Sequence, residues 1–336
     1  MSHDVVNITY NIVVAFVSIV LLALIMVLII ICRKRPVESE DSLPHVKLFA
    51  CAYPFTDIEA ATDGFNPRRI IGTGRLGTVY TTVIPTTGDM VAVKRINPLF
   101  VLSNAGFGFS SLIKSLSLAQ HPNVVPIIGF SEAIGERIIV TEFMGMKSLD
   151  FYLHHSSMGA PPLDWPMRLK IASGAAQGLE YLHEGLAPPI IHGCVKPCNI
   201  LIDESFNARV CDYGLSFLGA KERRGLLGYV DKEYWVEKGG LRACKACDVY
   251  GFGVVLLELL SGRRCGDGLL VEWALPLIRD MRVLEVLDPK LFIPMDMKPN
   301  LLRLAKVASA CVGNSRENRP SIAQVAAILN DLVLQV

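Results

Sequence analysis

Two short stretches hold most of the side chains that could do chemistry. His192-Gly193-Cys194-Val195-Lys196-Pro197-Cys198-Asn199 gathers an imidazole, an ammonium, an amide and two thiols, and Cys211-Asp212 follows soon after. Asp212 carries a hard carboxylate oxygen of the kind that suits Mg2+. Cys194 offers only a thiol, mostly neutral at pH 7 and a weak hydrogen-bond acceptor, so it is a poor general base. Upstream, Gly72, Gly74 and Gly77 form a G-x-G-x-x-G run. Without side chains, such a run lets backbone amides lie close to phosphates, and dinucleotide folds use it as well. Here a β-branched and aromatic run, Thr78 to Val83, follows the glycines, and a second strand from Asp89 to Ile96 contains Val91-Ala92-Val93-Lys94. A strand after the glycines, rather than a helix, argues against the dinucleotide arrangement. Cys244-Lys245-Ala246-Cys247 is a C-x-x-C with no second pair at zinc-ribbon spacing, and reads as two thiols near the start of a buried helix.

The elements that must position these groups belong to a chain of 336 residues, enough for one large domain or two medium ones. A net charge of +1 excludes the strong field that would point to nucleic acid. Nine cysteines in a chain this size suggest reduced, mostly buried thiols. Ile12 to Cys32 is an uncharged apolar run, and Arg33, Lys34 and Arg35 follow at once. As a helix of about 21 residues it would reach roughly 31 Å, the thickness of a bilayer's hydrocarbon core. Basic residues on that side place the N-terminus outside and the rest in the cytosol, giving a single-pass plasma-membrane protein. The outer segment, 1–11, is too short to fold as a ligand-binding domain. Asn7-Ile8-Thr9 is a glycosylation sequon and Cys32 could be acylated. An unused tripeptide and an ordinary apolar residue are the plainer readings. Residues 33–52 carry Pro36 and Pro44 with no sustained period and read as a juxtamembrane linker.

Further along, Phe55-Thr56-Asp57-Ile58-Glu59-Ala60-Ala61-Thr62 begins a helical run. Leu163-Asp164-Trp165 with Arg168-Leu169 and Ile171-Ala172 begins a longer one, ending near His183. Val210-Cys211-Asp212-Tyr213-Gly214 is close to D-F-G, Asp231-Lys232-Glu233 to A-P-E without its proline, and Asp248-Val249-Tyr250-Gly251-Phe252-Gly253 precedes Arg319-Pro320. In this order, with the glycine loop, V-A-V-K and an H-x-x-x-K-P-x-N loop, the motifs resemble the plant receptor-like (Pelle-type) serine/threonine protein kinase family. The resemblance covers residues 53–336. It implies a two-lobed α+β kinase fold, with an N-lobe over about 66–144 and a C-lobe over about 145–336. It further implies that Ile71, Gly72, Gly74, Gly77, Val79, Ala92 and Leu201 surround ATP and that Lys94 contacts its α- and β-phosphates. Thr141 would be the gatekeeper, with Glu142 to Met144 as the hinge. Lys196 would contact the transferred phosphate, and Asn199 and Asp212 would hold Mg2+. Glu233 and Arg319 would form a buried ion pair, and Asp248 would open a central buried helix.

The departures from the family concern chemistry more than fold. Cys194 replaces the aspartate that accepts the substrate's proton, and Gly193 replaces the preceding arginine. Leu112 stands where the glutamate partner of Lys94 belongs, and no Asp or Glu occurs between Asp89 and Glu132. Lys94 would then keep its charge through solvent, phosphate or Asp212. Leu226-Leu227 replaces the G-T-x-G-Y threonine, and few hydroxyl side chains remain for an activation-loop phosphate. The expected function is a membrane-anchored pseudokinase that retains ATP and Mg2+ binding, has lost catalysis, and serves other membrane receptor kinases or signalling proteins as scaffold or allosteric partner. An active or weakly active kinase, and an interaction module without nucleotide, are the alternatives.

Overall fold

The computed structural model describes residues 15–24, 26, 50–85, 87–103, 108–143, 145, 147–155, 159, 161–216, 218, 226–235, 243–292 and 297–335. The chain divides into two units, 1–46 and 47–336. In the first, residues 15–24 form a helix with exposed side chains. No helix among the described residues is long and apolar enough to cross a membrane. Apart from residue 26, the rest of the expected span 12–32, the basic triplet after it and the linker up to residue 49 lie outside the described residues.

The second unit begins with strand β1 (Cys51–Ala52) and helix α1 (Phe55–Ala61). Four antiparallel strands carry the β-branched alternation noted above: β2 (Ile70–Gly74), β3 (Gly77–Val83), β4 (Met90–Ile96) and, after the short helices α2 (Pro98–Ser103) and α3 (Phe109–Leu116), β6 (Glu136–Glu142). With β1 and β5 (Ile127–Ala133) they form a six-stranded sheet in the order β1-β5-β6-β4-β3-β2. β1 joins it parallel to β5, so the sheet starts two residues before the expected domain boundary at residue 53. One face of the sheet is covered by α1 and the turn after it. Ile58 of α1 is fully buried among Val91, Val93, Ile138 and Val140, a burial worth about 2 kcal/mol. Phe65 meets Tyr80 edge-on at 5.4 Å.

The larger lobe is helical. A three-stranded sheet, β7 (Lys147–Ser148), β8 (Ile200–Ile202) and β9 (Ala208–Val210), lies beside α4 (Leu149–His154) and α5 (Trp165–Glu184). Asp164 caps α5 by accepting from Met167 N at 2.9 Å, as an acidic residue just before an apolar-periodic run should. Helix α6 (Lys245–Ser261) is apolar nearly all round and correspondingly buried. Helices α7 (Leu269–Arg279), α8 (Lys298–Cys311) and α9 (Ile322–Val333) complete the lobe. Ser321 and Gln324 cap α9 reciprocally. Arg168 of α5 is buried against Asp288 (2.6 Å) and the Leu259 carbonyl (2.7 Å), tying α5 to the end of α6.

Candidate nucleotide cleft and catalytic loop

A cavity of about 770 Å3 opens between the six-stranded sheet and the helical lobe. Ile71, Gly72, Val79, Ala92 and Lys94 line it from the sheet side. Thr141 and Glu142 line it at the end of β6, and Leu201 and Asp212 from below. Val125, Ile127, Ile139, Cys198 and Cys211 also line it, and sequence reasoning did not assign them. Gly74 and Gly77 are not on its wall. A Cβ at Gly77 would come within 2.0 Å of the Arg95 carbonyl on β4, so this glycine permits close strand packing. Met144 lies outside the described residues.

Lys94 forms an ion pair with both carboxylate oxygens of Asp212. Burial opposes the Lys94 charge, but Asp212 outweighs it and holds the ammonium's pKa above its ordinary value. Lys94 in turn keeps the Asp212 carboxyl below the usual carboxylate range against the effect of its own burial. Of the three partners open to Lys94 from the sequence, the one it meets is Asp212. Leu112, on α3, is half-buried and lines a separate cavity of about 390 Å3 with Leu116, Gly214, Ser216 and Ala243.

The catalytic loop hangs on α6. The Asp248 carboxylate accepts from the backbone amides of His192 (2.8 Å) and Gly193 (2.7 Å), and it also meets His183 Nε2 at 2.8 Å. With three buried partners, Asp248 fixes the position of residues 192 and 193. Gly193 has φ +78°, and a Cβ there would lie 2.3 Å from Ser216 Cβ. The position is therefore closed to a side chain both by backbone conformation and by space. Asn199 donates through Nδ2 to the Cys194 carbonyl at 2.9 Å, with the Cys198 thiol 3.7 Å from its Oδ1.

Cys194 is buried in an apolar cluster with Leu226, Val230, Tyr234 and Cys247. Burial pushes its thiol up, and the nearby Lys196 and Arg75 charges only partly offset this. Arg75 sits at the turn between β2 and β3. It donates to the Leu218 carbonyl at 3.1 Å, and its charge favours the ionised form of the Cys194 thiol. The sequence marks Arg75 only as a charge inside a glycine turn, with nothing to say how far it extends.

One expected contact is replaced. Arg319 pairs with Asp231, not Glu233, and Arg316 meets Asp231 at 2.8 Å as well. Glu233 is half exposed and 3.6 Å from Arg316. The cause is local. Asp231 caps the 3-10 turn Lys232–Trp235 by accepting from Tyr234 N at 2.8 Å, which turns its carboxylate inward and carries Glu233 outward.

Residues 65–327 match the protein kinase domain family. The chain belongs to the protein kinase family. It is 38% identical over 305 residues to serine/threonine-protein kinase PBS1 of Arabidopsis thaliana, which covers 86% of this chain and 66% of that protein. It is 32% identical over 354 residues to phytosulfokine receptor 1 of the same plant, covering 95% of this chain and 34% of that one. The chain thus spans just under two thirds of the first relative and about one third of the second. Among solved structures it resembles the pseudokinase domain of BIR2, described as an immune regulator of the RLK/Pelle family. The TM-score is 0.68 at 33% identity, covering 83% of this chain and 86% of that one. The receptor-like, Pelle-type branch expected from the motifs is the one to which this kinase-family chain is similar.

Cys194 and Leu226, which the motif resemblance sets at the positions of the base and of the activation-loop threonine, belong to one buried apolar cluster. Tyr213, in place of the D-F-G phenylalanine, stays buried and donates its hydroxyl to the Val125 carbonyl at 3.1 Å. The hydroxyl is thus satisfied, which makes the exchange tolerable.

Proposed function

We propose that this kinase-family chain is a pseudokinase that binds ATP with Mg2+, transfers little or no phosphate, and works as a scaffold or allosteric partner. The observation that carries the reading is the burial of Cys194 in an apolar cluster with Leu226, Val230, Tyr234 and Cys247. A thiol in such surroundings would stand where a proton acceptor would face substrate, and removing a general base costs about 10²–10⁴ in rate. The cleft itself supports nucleotide binding. Its walls are apolar where an adenine would stack, and Lys94 and Asp212 stand at its inner end. Asp212 is a hard carboxylate. Asn199, held through Nδ2, keeps Oδ1 apart from that contact, so the two fit a magnesium ion by donor type. The ion would neutralise phosphate charge. Lys94 would be the group to meet phosphate and Asp212 the group to hold the metal. The uncharged run 12–32 followed by Arg33, Lys34 and Arg35 supports a membrane anchor with the kinase-like unit in the cytosol. Kinship with an immune regulator's pseudokinase domain and with a receptor supports other receptor kinases or signalling proteins as partners.

The test uses the full chain in detergent with ATP and Mg2+. A rise in melting temperature without phosphate transfer to the chain or to a general protein substrate is expected, and Lys94→Met removes the rise. Transfer that vanishes in Lys94→Met overturns the pseudokinase reading. No thermal shift at millimolar ATP favours an interaction module without nucleotide.

A further inference from the structure

The C-x-x-C pair does more than cap a helix. Cys244 is the N-cap of α6: its Sγ accepts from Cys247 N at 3.3 Å, while its carbonyl accepts from Cys247 N and Asp248 N. The two thiol sulfurs lie 2.9 Å apart, so forming a bond of about 2.05 Å needs a further approach of only about 0.9 Å. Cys244 is half-buried, whereas Cys247 is buried beneath it in the cluster with Cys194 and Leu226. One sulfur is therefore open to a small reagent, with a sheltered sulfur behind it. The first turn of α6 adds the positive end of a long buried helix. Hydrogen bonding from the Cys247 thiol, helped by the Arg316 charge, brings the Cys244 thiol down to about 6 against the opposing effects of burial and Asp231. The described residues hold no group of three or more metal-ligating side chains, so the pair is not part of a zinc site among them.

We infer that Cys244 and Cys247 form a redox-active dithiol, with Cys244 the attacking sulfur and Cys247 the resolving one, and that a hydroperoxide converts them to a disulfide. The Cys244 thiolate attacks the terminal peroxide oxygen. The O–O bond breaks, and the departing oxygen takes a proton and leaves as an alcohol, or as water when the reagent is hydrogen peroxide. Cys244 is left as a sulfenic acid. Cys247 Sγ then attacks Cys244 Sγ, the S–O bond breaks, and hydroxide leaves with the Cys247 proton as water. Two thiols are oxidised and one peroxide is reduced. The bridge lies one residue before Asp248, whose carboxylate holds the His192 and Gly193 amides. The redox state of the pair thus bears directly on the anchor of the catalytic loop.

The test treats the full chain with hydrogen peroxide at pH 7, blocks the remaining thiols with an alkylating agent after denaturation, and maps the peptides. Cys244 and Cys247 are expected to be joined to each other and restored by a dithiol reductant, with buried Cys265 and Cys311 still alkylated. Cys247→Ser is expected to stop at a sulfenic acid on Cys244 that a cyclic dione traps. Cys244→Ser is expected to slow oxidation at position 247 by about tenfold or more. The inference is overturned if both cysteines stay alkylatable once free glutathione is oxidised. It is equally overturned if Cys198 or Cys194 reacts first, or if Cys244 passes to a sulfinic acid while Cys247 remains a thiol. The wild-type map decides the matter by itself if a variant fails to fold.

Discussion

Arg75, at the tip of the glycine loop, donates to the carbonyl of Leu218 at 3.1 Å, joining the small lobe to the segment after the D-Y-G motif. A loop whose glycines would leave it mobile is tethered by its own single cation. Hydrogen bonds from charged donors contribute about 1.5–3 kcal/mol when buried, and this one is half exposed. Arg75→Ala is expected to lower unfolding stability by about 1 kcal/mol and to speed amide hydrogen exchange in residues 215–218. Unchanged exchange there would show that the tether holds nothing.

Restoring the missing acid is expected to harm the fold before it helps the chemistry. Cys194→Asp buries a carboxylate against Leu226, Val230 and Tyr234, with Lys196 and Arg75 able to neutralise only part of its cost. A loss of about 2 kcal/mol is expected, and Leu226→Thr added to it should recover part by supplying a hydrogen-bond partner. Denaturant unfolding of the two variants checks this. Full phosphotransfer from Cys194→Asp alone would refute it, since Leu112 leaves Lys94 without its second partner.

The ion pair beneath the activation segment gives a sharp contrast between two acids two residues apart. Asp231 is shared by Arg316 and Arg319, and Arg319 is almost fully buried. Asp231→Asn leaves buried guanidinium charge poorly compensated and is expected to cost about 3 kcal/mol. Glu233→Gln, on a half-exposed side chain, is expected to cost less than about 0.5 kcal/mol. Equal losses in thermal unfolding would return the role to Glu233.

Acid should destabilise the chain in two stages. Burial lowers the pKa of His192 below 6.5, so below that pH the unfolded chain takes up a proton that the folded chain refuses. Stability then falls as pH drops from about 6.5. Asp212 and Asp231 are held below the ordinary carboxylate value by Lys94 and by Arg316 with Arg319, against the effect of burial. Their contribution is present above about pH 4 and is lost below it. Melting temperature measured from pH 8 to pH 3 should decline gently and then steeply. A flat profile between pH 7 and pH 5 would contradict the first stage, and Asp231→Asn should soften the second.

What the sequence discloses here depends on how local the cause is. The glycine loop, Lys94, Asp212 and the α5 cap at Asp164 rest on short patterns whose backbone geometry follows from neighbouring residues. The pairing of Lys94 with Asp212 could be narrowed to three options by noting the absence of acids before Glu132, because absence is visible in a string. The partner of Arg319 could not. Residue 233 holds the right letter, but a capped turn four residues long decides which carboxylate faces inward. Arg75 was equally hidden, since its role is set by how closely the two lobes meet and not by its own surroundings in the chain.

Gly193 has a consequence for substitution as well as for stability. Its φ of +78° and the Ser216 side chain 2.3 Å from where a Cβ would stand are two separate obstacles. An arginine introduced there meets both at once. Relief would need a changed side chain at 216 and a re-formed peptide orientation between Asp248 and the loop, neither useful alone. Any side chain placed at 193 is therefore tolerated only together with a compensating change at 216 and a re-formed backbone.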